Sequence, residues 1–131
     1  MSGNAFGTPP LDVRLHNQNM DSKNIFIACS YMLQKVEWEM SSQDSEWYYI
    51  GEGGEYKSEF IQSNIDNFFS DKSIYLVTDR HSSKEIQTQN GADEIHKALT
   101  EFANATLCNR GLSRFISFNK IGVARQGKYD G

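Results

Sequence analysis

Between Lys57 and Phe69 the apolar residues Phe60, Ile61, Ile65, Phe68 and Phe69 recur at helical spacing, which gives this segment one strongly apolar face. Such a face has to be covered. The flanking segments supply the cover, because Trp47-Tyr48-Tyr49-Ile50 before it and Ile74-Tyr75-Leu76-Val77-Thr78 after it both read as strands.

Further strands extend the pattern. Val36, Trp38 and Met40 alternate with Lys35, Glu37 and Glu39, the period of a half-buried strand, and a polar turn at Ser41-Ser42-Gln43-Asp44-Ser45 leads into Glu46–Ile50, so the two are expected to form a hairpin. Ile74–Thr78 is expected to pair with Glu85–Thr88. Asn90 with Asp93 three residues on resembles a helix cap, after which Ile95, Leu99, Phe102, Ala103 and Leu107 follow one helical face, with Asn109 and Gly111 as terminators. Arg114–Phe118 and Ile121–Arg125 form a final hairpin around Asn119-Lys120. Asn24–Met32, NIFIACSYM, is compatible with a buried strand or a helix.

The expected fold is therefore α/β (α+β), an antiparallel or mixed sheet with two to three helices packed on one face. Residues 1–23, rich in Gly, Asn, Pro and Ser, read as a flexible arm in which Leu11–Leu15 could make a short strand. Residues 24–131 read as one globular domain.

The stretch Gly51–Ser58, GEGGEYKS, departs from the phosphate-loop pattern G-x-x-x-x-G-K-[ST] at one position, where Tyr56 replaces the second glycine. A phosphate cradle needs converging backbone N–H groups with no side chain in the way, and Glu52 and Glu55 would add negative charge where anions must enter. An acidic turn between strand and helix is the better reading.

The net charge of -4 argues against general affinity for nucleic acid or anionic membranes, and no apolar run reaches membrane-spanning length. The first ten residues lack the basic and apolar regions of a signal peptide, so the expected compartment is the cytoplasm. Asn104-Ala105-Thr106 is accordingly discounted as a glycosylation acceptor. Cys29 and Cys108 lack metal or redox spacing and read as small buried hydrophobes. His16, His81 and His96 are scattered, so no metal and no cofactor are expected.

Asp79-Arg80-His81 with Ser82 and Ser83 follows a strand and holds an acid, a base and hydroxyls. Neighbours in sequence rarely form a working triad, and a solvated turn is the plainer reading. Arg110, Arg114, Lys120, Arg125 and Lys128, alternating with Phe115 and Phe118, outline a conceivable base-stacking strip, which the acidic whole disfavours.

The most distinctive feature is a concentration of acids and aromatics. Glu37, Glu39, Asp44, Glu46, Glu52, Glu55 and Glu59 share their window with one base, Lys57, and are interleaved with Trp38, Trp47, Tyr48, Tyr49 and Tyr56. A hairpin that buries Trp38 and Tyr48 would present carboxylates beside Trp47 or Tyr49, a surface suited to a basic partner. The expected partner-binding set is Glu37, Glu39, Asp44, Glu46, Trp47, Tyr49, Glu52, Glu55 and Tyr56.

In this profile of a short, acidic α/β chain with acidic-aromatic clusters and no coherent catalytic set, the sequence resembles bacterial immunity proteins of contact-dependent growth inhibition and related polymorphic toxin systems. The resemblance implies a non-enzymatic protein that binds and neutralises a cognate toxin domain, often a nuclease with a basic active site; a monomer or homodimer is expected. It carries no motif from which a residue's role can be transferred. Two other expectations remain: a secretion chaperone that binds an effector segment, and a small hydrolase or transferase centred on Asp79, Arg80 and His81.

Overall fold

The computed structural model describes residues 21–41 and 44–130. The expected arm up to residue 20, including the Leu11–Leu15 strand, lies outside them. The first described element is helix α1 (Ser22–Leu33), which begins two residues earlier than the domain boundary expected from sequence. Asp21 caps it, its Oδ1 accepting from the Asn24 N–H at 2.9 Å. Ile25 and Cys29, one helical turn apart, are fully buried, so the ambiguous NIFIACSYM run is a helix.

Seven strands form one antiparallel sheet: β1 (Glu37–Trp38), β2 (Tyr48–Tyr49), β5 (Ser73–Val77), β6 (Lys84–Gln87), β7 (Asn104–Cys108), β8 (Arg114–Asn119) and β9 (Val123–Lys128). Their order is β1-β9-β8-β7-β5-β6, with β2 also on β9. Helices α2 (Ser58–Phe68) and α3 (Gly91–Glu101) share one face. The architecture is the expected α+β fold, with two helices on one face; α1 covers part of the other.

Alternation along the central strands separates two cores. Ile74 and Leu76 of β5, Ala105 and Leu107 of β7, and Ile116 and Phe118 of β8 meet Ile61, Ile65, Ile95 and Leu99 of α2 and α3. Tyr75, Val77, Cys108 and Phe115 point the other way, towards Ile25 and Cys29. Each fully buried Ile or Leu of this kind stabilises the fold by about 1.5–3 kcal/mol.

Three expectations are corrected. Trp38 and Tyr48 do not face each other in a hairpin; β1 and β2 lie end to end on the same strand, with Glu37 opposite Lys128, Trp38 opposite Gly127 and Tyr48 opposite Ala124. Two-residue strands offer each other too few ladder bonds to outcompete a six-residue partner already anchored in the sheet. Secondly, Ala103 and Leu107 do not continue α3, which ends at Glu101; Ala105 and Leu107 face one core while Thr106 and Cys108 face the other side, the period of a strand buried between β5 and β8. Thirdly, the Asn90 side chain makes no cap. Gln62 of α2 does, accepting from the Ala92 N–H at 2.9 Å.

The glycine loop is a two-residue turn between β3 (Gly51–Glu52) and β4 (Glu55–Tyr56), with Gly53 and Gly54 at φ 61° and 82°. Its register sets Glu52 directly opposite Glu55, a repulsive cross-strand pair. Its backbone is committed to pairing with itself, which removes the phosphate-cradle geometry.

Candidate binding groove at the sheet edge

The edge beyond β9 is built from short-range bonds. The Glu39 N–H donates to the Gln126 carbonyl at 2.8 Å and prolongs β1 by one residue. Further on, the chain folds on itself: the Asp44 N–H donates to the Ser41 carbonyl at 3.2 Å, with Asp44 at φ 60°, and the Trp47 N–H donates to Ser45 Oγ at 3.1 Å. Glu39, Met40, Ser41 and Glu46 lie across from Phe60 and Asn64 in the first two turns of α2. Between them lies an open groove of about 220 Å³, lined by Glu39, Met40, Ser41, Glu46, Tyr48, Phe60, Asn64 and Gln126.

Apolar surface is left uncovered in this groove. Met40 is 67% exposed and Phe60 43%, and Phe60 meets Tyr48 edge to face with ring centres 6.0 Å apart. The Tyr48 hydroxyl donates to Gln126 Oε1 at 3.1 Å, and burial pushes its pKa up to about 12. It therefore stays a neutral donor at physiological pH. The Gln126 amide in turn donates to Glu39 Oε1 at 3.4 Å. Among the described residues Glu39 has no salt-bridge partner, so the groove carries its negative charge.

On the opposite side of β9, Arg125 is held between two indoles. Its guanidinium carbon lies 3.9 Å from the Trp38 ring centre and 4.6 Å from that of Trp47, and Nη1 donates to Glu46 Oε1 at 2.9 Å. Glu46 thus lines the groove and ties its turn to the sheet.

The expected partner-binding residues fall into separate places. Glu39 and Glu46 line the groove. Trp47 is engaged with Arg125, and Tyr49, on the face of β9 that carries Arg125, lies under Lys57 Nζ at 4.6 Å. Glu37 is exposed at the far end of the edge, near Lys35, Tyr129 and Asp130. Glu52 and Glu55 are exposed on the glycine hairpin, and Asp44 is exposed on the turn. Tyr56 serves the fold: its hydroxyl donates to the Lys120 carbonyl at 2.8 Å and its ring meets His96.

Met40, Tyr48, Phe60, Asn64 and Gln126 were missed from sequence. One signal was present, since Phe60 and Asn64 stand one turn apart, immediately beside the buried Ile61-Ile65 stripe.

The other sequence candidates lie elsewhere in the fold. Asp79 Oδ1 accepts from the backbone N–H groups of His81 and Ser82 at 3.0 and 2.8 Å, bonds that lower its pKa, and Ser83 Oγ donates to the Asp79 carbonyl at 2.7 Å. These bonds close a turn, in which the Ser82 side chain also hydrogen-bonds the Asp79 carboxylate. Phe115 and Phe118 are buried on opposite faces, Arg114 lies over Phe68 and Arg110 pairs with Glu85, so the basic strip offers no stacking platform. Among the described residues no group of three or more His, Cys, Asp or Glu is placed to hold a metal ion, and no helix is long and apolar enough to cross a membrane.

Comparison with protein-family models, with curated proteins and with solved structures found no match for this chain.

Proposed function

We propose that this chain is an immunity protein that binds and neutralises a cognate toxin domain in the cytoplasm, and that the groove on the sheet edge is the centre of the contact. One observation carries the reading: Glu39, without a salt-bridge partner among the described residues, and the half-exposed Glu46 frame a groove whose walls include the exposed side chains of Met40 and Phe60. An apolar centre rimmed by charge is the anatomy of a protein-binding patch. The repulsive Glu52–Glu55 pair on the neighbouring hairpin extends the acidic field, and a basic partner would relieve that repulsion. If the toxin is a nuclease, these carboxylates take the place of substrate phosphates.

The test is co-expression. A captured toxin domain expressed alone should arrest growth of a bacterial host, and this chain should restore it. Association should slow as salt is raised, because charge accelerates encounter between exposed surfaces. Growth arrest that this chain does not relieve, or an association rate indifferent to salt, contradicts the reading.

The secretion-chaperone reading draws on a different surface. Ile27 and Tyr31, one turn apart on α1, are 46% and 58% exposed, an apolar strip of the kind used to hold a partner segment or a second copy. A concentration-independent monomer counts against it.

A further inference from the structure

We propose that the occupant of the groove is an arginine side chain of the partner, its guanidinium lying against Phe60 and Met40 and paired with Glu39. This rests on the reading of the groove as a partner surface and names the chemistry it selects.

Three features favour a guanidinium. The groove combines aromatic and thioether walls with the Glu39 carboxylate, which has no salt-bridge partner among the described residues, and a weakly hydrated planar cation satisfies both, whereas the ammonium of lysine must give up a tighter water shell. Polar atoms surround the cavity on several sides, from Glu39, Ser41, Glu46, Asn64 and Gln126, and arginine alone among side chains brings five donors in one plane. The chain also contains the same solution on the other side of β9, where Arg125 is stacked on two rings and paired with Glu46. Glu46 is compensated there, so the charge available to a newcomer is that of Glu39.

Tyr48 is fixed by Gln126, and Gln126 by Glu39, so the wall is ordered before any ligand arrives. The large apolar side chains exposed there are Met40 and Phe60, those an incoming aliphatic stem and guanidinium would bury.

The test needs no toxin. N-acetyl-arginine amide is titrated into the ¹⁵N-labelled full chain, with N-acetyl-citrulline amide as the neutral isostere and N-acetyl-lysine amide as the alternative cation. Arginine amide should shift the amides of Glu39, Met40, Trp47, Tyr48 and Gln126 saturably, with affinity on the order of millimolar. Citrulline and lysine amides should bind more weakly, and Glu39→Gln and Phe60→Ala should each weaken arginine about fivefold while leaving the rest of the spectrum unchanged. Equal response to citrulline or lysine amide, shifts spread over Glu52 and Glu55 and indifferent to Phe60→Ala, or no saturable shift would each overturn the proposal. Arginine binding in the groove of a chain that relieves no toxin would sink the immunity reading alone, whereas toxin relief without arginine binding would sink this one alone.

Discussion

The carbonyl oxygen of Gly51 occupies the space beside Gly122 that a side chain would need: a Cβ on Gly122 would lie 1.8 Å from it. This approach brings the glycine hairpin against the β8–β9 turn, and the Ile50 N–H donates to the Gly122 carbonyl at 2.8 Å. Gly122 also sits at φ 111°, where any other residue is strained. Gly122→Ala should therefore destabilise by about 3 kcal/mol or more, while Gly53→Ala, at φ 61° with open space around it, should cost about 1 kcal/mol. Urea unfolding of the two variants measures the difference, and equal costs would contradict the contact.

Arg125 gives the groove its rigid back. The chain's two tryptophans are the residues that clamp it, so intrinsic fluorescence reports on this site. Arg125→Lys keeps the charge but loses the planar stack, and should lower stability by about 1 kcal/mol with a red shift of the native emission. An unchanged emission spectrum and urea midpoint would remove the clamp from the account.

Alkaline pH isolates Tyr48. Its hydroxyl has an ordinary pKa of 10.0 in the unfolded chain and about 12 in the fold, where burial opposes ionisation. Across that window the native state holds the proton that the unfolded state has lost. The stability due to this group is thus complete below pH 10 and is lost as pH rises towards about 12, by up to roughly 2–3 kcal/mol. Tyr48→Phe lacks the titrating group, so the difference between the two proteins' stabilities should change over this range; a constant difference contradicts the burial.

The thiols offer a probe of α1. Cys29 and Cys108 are fully buried against each other between α1 and the sheet, and their hydrogen bond and burial raise the Cys108 pKa well above the ordinary value. Iodoacetamide at mildly alkaline pH should label neither in the native protein and both after unfolding. Labelling of the native chain at the rate of a free thiol would show that α1 does not cover this core.

Much of the fold was legible because it rests on periodicity. The Ile61-Ile65-Phe68 stripe and the β8–β9 hairpin carry their signals within a few residues, and α2, β5, β6, β8 and β9 lie close to where the pattern puts them. What escaped depends on competition between distant segments. Ala105–Cys108 has residues that continue a helical face, and only the vacancy between β5 and β8 makes it a strand. Trp38 and Trp47 look like members of one hairpin until β9 claims both segments and places Arg125 between them. The candidate site was half legible for the same reason. Glu39 and Glu46 stood out by charge, but Gln126 comes from the far end of the chain, and Phe60 reads with the apolar face of α2 although it lies beside the buried Ile61-Ile65-Phe68 stripe and is 43% exposed.

Parallel affinity capture from the native host cells with the tagged wild-type chain and its Glu39→Gln/Phe60→Ala variant tests the central claim most directly. The account predicts that the wild-type chain recovers a toxin C-terminal domain in stoichiometric amount and that the variant, equally folded by circular dichroism, loses most of it. Recovery of the same toxin by both, or of a secreted effector in place of a toxin, would contradict the groove as the neutralising surface.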